Sequence, residues 1–148
     1  MTGKKKLLIG IFIVIAATQF FVSTENTSDY TSLTPFEKEL GVTPLLSKDL
    51  QSQCYDCHSN HTVYPWYNHL GVPSLVLNHH IKEGKEHVNF SNWEQYSPKE
   101  KDHYLHEIYE EVSKNHMPLK LYKWTHIPKH STLKQTRQRI LEWASIFR

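Results

Sequence analysis

The segment Gln53-Cys54-Tyr55-Asp56-Cys57-His58-Ser59-Asn60 holds both cysteines of a chain of 148 residues. Two residues separate them, and a histidine follows at once. Such a pair can form a disulfide, hold zinc, work as a redox dithiol or carry a haem. A Cys-x-x-Cys disulfide closes a loop too short to restrain much unfolded chain, so it stabilises little. A redox dithiol caps a helix behind a β-strand in a thioredoxin-like setting, and no βαβ pattern surrounds this pair. A closed zinc site adds a second Cys or His pair at short spacing. His79 and His80 could be offered, but adjacent side chains diverge on a helix. Covalent haem attachment fits without strain. Two thiols bond the two vinyl groups, the two-residue spacer spans them, and the next residue falls beneath the iron. The expected cofactor is therefore haem c, carried by Cys54 and Cys57 with His58 as proximal ligand.

The iron then needs a sixth ligand or an open position. Of the two methionines, Met1 is the initiator, which leaves Met117 in Lys114-Asn115-His116-Met117-Pro118. A thioether in a proline-fixed loop can cross a haem face, whereas a lone Met elsewhere is ordinary core filler. His116 is the adjacent rival and would make the iron bis-His. The other histidines, His61, His69, His79, His80, His87, His103, His106, His126 and His130, are scattered and read as solvated or capping side chains. Tyr64, Trp66, Tyr67, Trp93 and Trp124 are expected to wall the haem pocket.

The N-terminus carries Lys4-Lys5-Lys6 followed by an apolar run from Leu7 to Val22. As a helix this run reaches about 24 Å at ~1.5 Å per residue, slightly short of a ~30 Å hydrocarbon core. Lysine snorkelling can make up the difference. Residues 1–23 are therefore expected to form a transmembrane anchor, the rival being a signal peptide cleaved near Ala17. Either way the lysines stay on the cytoplasmic side and the rest faces the periplasm or the outside. Residues 24–33 are polar and read as a tether, and residues 34–148 as the functional domain.

Within that domain the helix signals are capping residues. Thr34 with Pro35 and Glu37 reads as a capping box, closed by Gly41. A short helix over Ser47–Gln53 delivers the chain to Cys54. Tyr64–Pro73 reads as a loop, and the helix after Pro73 is expected to end at Gly84. Asn89–Pro98 reads as another loop. Ser97, Pro98 and Glu100 start a helix whose apolar face is Tyr104, Leu105, Ile108, Tyr109 and Val112. Thr132 and Gln135 start the last, with Leu133, Ile140, Leu141, Ala144 and Phe147 inward. No stretch alternates with period two, so the expected fold class is all-α with long loops. A net charge of +2 with no basic stripe gives no reason to expect nucleic acid.

The runs CYDCHSNHTVYPWY, NFSNW, HMPLKLYKWTH and ILEW resemble the haem-binding domain family of small bacterial c-type-cytochrome-like proteins. The resemblance covers roughly Pro35 to Trp143. It implies a small cytochrome c-like helical domain behind an N-terminal hydrophobic segment. Attachment falls on Cys54 and Cys57, the proximal ligand on His58 and the distal ligand on Met117. The chain departs from the pattern in having His116 before that Met. Three classes of function follow. The first is one-electron transfer with unidentified redox partner proteins at the outer face of the bacterial plasma membrane. The others are a haem peroxidase-type enzyme with an open distal site, and a haem sensor or subunit of a larger complex.

Overall fold

The computed structural model describes residues 3–21, 26–126 and 133–147. Eight α-helices follow one another among them: α1 (Gly3–Thr18), α2 (Thr34–Glu39), α3 (Pro44–Leu50), α4 (Asp56–His58), α5 (Gly71–His87), α6 (Pro98–Ser113), α7 (Lys120–His126) and α8 (Leu133–Ala144). Short 3₁₀ turns lie at Gln19–Phe21, Tyr30–Leu33, Trp66–His69, Phe90–Gln95 and Ser145–Phe147. A π turn over Gln51–Tyr55 joins α3 to α4. The described residues contain no strand, and Thr27 and His61 form an isolated antiparallel bridge. The all-α expectation therefore holds.

The core is an aromatic cluster centred on Phe36, which is fully buried. Its ring lies 4.5 Å from Phe90, and Trp93 meets it edge-on at 5.0 Å and Trp143 at 6.0 Å between centroids. Tilted and edge-to-face contacts of this kind add to the stabilisation from area burial alone. Around them α6 packs on α8, α8 on α3, α2 on the Phe90–Gln95 turn and α4 on α5. Asp49 of α3 is buried and accepts from Thr136 Oγ1 at 3.0 Å and from Arg139 Nε at 2.6 Å. This pairing satisfies a carboxylate that would otherwise be costly to bury.

The capping signals meet mixed outcomes. At α6 the capping box is complete: Ser97 accepts from the Glu100 N–H, and the Glu100 carboxylate accepts from the Ser97 N–H. Leu105 and Val112 are buried, with Tyr104, Ile108 and Tyr109 packed against the core. At α2 the expected cap fails. Leu33 is the N-cap and Thr34 is already helical, because a 3₁₀ turn capped by Asp29 runs straight into the helix. Glu37 is instead used tertiarily, accepting from Ser47 Oγ at 2.6 Å and from Tyr55 OH at 2.9 Å. Gly41 does close α2, with φ +61 and the Val42 N–H bonded to the Glu37 carbonyl, a Schellman ending. The expected cap Thr132 and His130 lie outside the described residues. Trp143 and Thr136 join the buried face of α8, which the apolar pattern did not include.

Gly84 does not end α5. The helix continues to His87, and the Val88 N–H bonds the Gly84 carbonyl. A Cβ at Gly84 would lie 2.5 Å from the Cys57 carbonyl oxygen, so glycine serves close packing here rather than chain reversal. Pro73 falls in the first turn of α5, where its missing N–H costs nothing. The expected Tyr64–Pro73 loop therefore shrinks around the Trp66–His69 turn.

The polar stretch 24–33, read as a tether, is from Asn26 onward held against the chain that follows His58. Asn26 Nδ2 donates to the Ser59 carbonyl at 2.9 Å and to Thr62 Oγ1 at 2.7 Å, and the Ser28 N–H donates to the Asn60 carbonyl at 3.0 Å. No helix among the described residues is long and apolar enough to cross a membrane. The expected transmembrane helix is accordingly not borne out. α1 spans 16 residues and gives way to a 3₁₀ turn at Gln19 because Thr18 and Gln19 turn their side chains back onto the Ile15 carbonyl. Its Leu7, Phe12, Ile13 and Val14 side chains are exposed, and its end packs on α5.

Gly84→Ala is expected to destabilise the fold by about 1–3 kcal/mol, because the new methyl meets backbone that cannot yield locally. A lower denaturant midpoint at unchanged slope checks it.

Candidate functional site

The motif turn is built by one nearly continuous coil from Pro44 to His58. Thr43 caps α3, accepting from the Leu46 N–H at 3.3 Å. Cys54 lies in the π turn, a widening often found at functional positions, and Cys57 and His58 lie in α4. The coil stops at Ser59, whose backbone is extended. Ser59 is fully buried, donates to the Tyr55 carbonyl at 2.8 Å and accepts from the His61 N–H at 3.0 Å. The Asn60 N–H donates to Ser91 Oγ at 3.0 Å, and its Oδ1 accepts from Asn89 Nδ2 at 2.8 Å. The Ser-Asn pair after His58 therefore locks the turn that sets the histidine's direction.

His58 Nδ1 lies 3.2 Å from the Val88 carbonyl. A carbonyl only accepts, so Nδ1 carries the proton and Nε2 keeps its lone pair. Burial holds the imidazole below its ordinary pKa, against the pull of the Val88 and Gly84 carbonyls. A neutral ring with Nδ1 fixed by a backbone carbonyl is the arrangement that prepares Nε2 to bind a metal.

Cys54, Cys57 and His58 line one cavity of about 680 Å³. The cysteines are not bonded to one another. Burial pushes each thiol up to about 12, helped at Cys54 by the neighbouring Cys57 and at Cys57 by Asp56. Dithiol enzymes need the reverse, a thiol pulled down by positive surroundings. Among the described residues no group of three His, Cys, Asp or Glu side chains converges on a point, which a closed zinc site requires.

The rest of the cavity is largely apolar. Val72, Pro73, Val76 and Leu77 come from α5, Leu121 from α7 and Leu119 from the loop before it. Met117 lines the same cavity and packs against the core. His116 does not line it. Its side chain is exposed, with Nδ1 3.2 Å from Glu111 Oε2. Chain neighbours are thus sent to different places.

The aromatic wall differs from expectation. Of the five candidates, Tyr67 lines the cavity. Trp93 is buried in the core cluster, Trp66 and Trp124 are exposed, and Tyr64 OH accepts from the Asn26 N–H. Trp93 was drawn to the Phe36 cluster, where more apolar area could be removed from water. In their place the site acquires residues the sequence reading set aside. His79, His80, Glu83 and His87 line the cavity from α5, and so does Tyr122 from α7. Tyr122 OH donates to Asp56 Oδ2 at 2.6 Å. Spacing along α5 placed His80, Glu83 and His87 on the face of Gly84, a signal visible only once Gly84 is known to face Cys57.

The raised thiols have a pH consequence. Below the ordinary thiol range both folded and unfolded chains hold these protons. As pH rises from about 8.5, the unfolded chain releases them first, so the haem-free fold loses stability up to about 12. Denaturation of the haem-free protein over that window should show a steeper decline than in Cys54→Ser/Cys57→Ser. Alkylation of the folded wild type at neutral pH should be slow.

Two partly buried thiols, a neutral imidazole with a free Nε2 and a thioether around a largely apolar cavity suit a haem. The family model of the haem-binding domain matches residues 13–146. None of the curated proteins and none of the solved structures matches the chain. With most of its length matched, this chain belongs to the haem-binding domain family.

Proposed function

We propose that this protein is a c-type haem protein that transfers single electrons at the outer face of the bacterial plasma membrane. The observation that carries this reading is the placement of Cys54, Cys57, His58 and Met117 on one cavity, with His116 outside it. Cys54 and Cys57 would hold haem through thioether bonds, and His58 and Met117 would bind its iron. Bound haem supplies a one-electron iron couple. Met117 contributes a soft ligand that favours the ferrous state, and the Val88 carbonyl tunes the basicity of His58 from behind. The apolar wall from α5 excludes water and raises the potential. A peroxidase-type enzyme needs an acid–base side chain at an open distal position. His116 is engaged with Glu111 instead, which favours the carrier.

The membrane reading rests on α1, whose exposed apolar side chains follow Lys4-Lys5-Lys6. The apolar part of α1 begins at Leu7, and the run it opens would serve as the anchor, with Lys4-Lys5-Lys6 at the cytoplasmic surface and the domain outside the cytoplasm. Export also places the chain where c-type attachment is completed. Its partners would be the lipid bilayer and redox proteins at that face.

Haem should stay with the chain through denaturing electrophoresis, and Cys54→Ser or Cys57→Ser should lower the yield of coloured protein. Extraction of haem by acidified solvent from the wild type would overturn covalent attachment. The ferric protein should show a thioether–iron charge-transfer band that Met117→Ala removes, with a lower reduction potential, while His116→Ala keeps the band. A high-spin wild type that turns over peroxide rapidly would put the enzyme reading first.

Fractionation tests the location. The mature protein should sediment with membranes and retain its N-terminal lysines. A soluble periplasmic form starting near Thr18 would mean that the segment is cleaved.

A further inference from the structure

α7 forms part of the cavity wall. It packs extensively on no other element among the described residues. Leu121 and Trp124 on it are exposed, and Leu119 just before it is partly so. A segment with few buried apolar contacts opens at low free-energy cost. Lys123 Nζ ties α7 to Asn115 Oδ1 at 3.1 Å, and a short hydrogen bond ties it to the motif turn. Tyr122 OH donates to Asp56 Oδ2 at 2.6 Å. Asp56 is the residue between the two cysteines on the side of Cys57. Its other oxygen accepts from the Val63 N–H at 2.9 Å, so the carboxylate is held from two directions. The Ser52 carbonyl, in the π turn, lies 3.3 Å from the same hydroxyl. Burial and the Asp56 charge keep the phenol well above its ordinary range, so it remains a donor at all physiological pH.

We propose that Tyr122 and Asp56 form a latch that positions α7, and with it the Met117–Pro118 loop, over the haem site. This rests on the reading of Met117 as sixth ligand. A hydrogen bond to a carboxylate contributes more than a neutral one. Here it links the segment that follows Met117 directly to the turn that carries the attachment cysteines. Haem attachment and distal ligation are thereby joined through one side-chain pair. Without the hydroxyl, the loop leaves the iron more often and an added ligand competes more successfully, in proportion to the lost bond.

Imidazole titration of the ferric, haem-loaded full chain tests the latch. Tyr122→Phe keeps the ring and removes the donor. It should bind imidazole roughly tenfold tighter than wild type, the scale of one charge-assisted hydrogen bond, and its charge-transfer band should fade at lower denaturant. Asp56→Asn keeps an acceptor and should show a smaller gain. The double variant should bind no tighter than Tyr122→Phe alone. Thr136→Val is the control. It removes a buried hydroxyl–carboxylate bond between α8 and α3, away from the cavity, and should lower stability while leaving imidazole affinity unchanged. The latch is overturned if Tyr122→Phe binds imidazole as wild type does, or if Thr136→Val raises the affinity equally. If Met117→Ala itself leaves imidazole affinity and the band unaltered, the ligand assignment fails first, and that outcome is distinct from failure of the latch alone.

Discussion

Gly84 puts no side chain between α5 and the Cys57 carbonyl, and the remaining features of the site follow from that approach. With α4 this close to α5, the Val88 carbonyl just past the end of α5 comes within 3.2 Å of His58 Nδ1. The same approach sets the apolar face of α5 beside both thiols and closes the cavity on one side. A methyl at this position would separate the helices and release the histidine's tautomer together with its orientation. Small-residue contacts are usually discussed as stability devices. Here the contact decides which imidazole nitrogen is free.

The polar groups around the motif serve the same end. Ser59, Asn60, Asn26 and Ser91 satisfy each other and the backbone of a turn that stops abruptly after His58. Buried polar groups are costly unless paired, and once fully paired they specify a single arrangement. The Phe36 cluster beneath supplies apolar burial for a fold this small. Trp93 is thereby committed to the core, and the cavity wall combines aliphatic side chains with Tyr67, Tyr122 and the histidines of α5.

The Met117 side of the cavity is built differently. Met117 packs against the core, but α7 after it rests on the Tyr122–Asp56 bond more than on buried area. The His58 side of the cavity is thus set by close backbone packing and the Tyr122 side by a hydrogen bond to a carboxylate. His116, although adjacent to Met117, turns to Glu111, five residues back along the chain.

The sequence by itself determined the haem-binding family and the helical class. Cys-x-x-Cys-His, the Ser97 capping box and the Gly41 helix ending are local patterns whose physics acts within a few residues, so they could be read directly. The anchor reading of Leu7–Val22 was also local, and it overran because Thr18 and Gln19 cap the helix on its own Ile15 carbonyl. What only the tertiary structure decided is everything set by partners distant in the chain. Gly84 faces Cys57, Val88 fixes His58, Tyr122 bonds Asp56, Glu37 leaves its capping role for Ser47 and Tyr55, and Trp93 goes to the core. No short-range period or spacing encodes these pairs, because their energies arise from burial and geometry that exist only once helices from different parts of the chain have met.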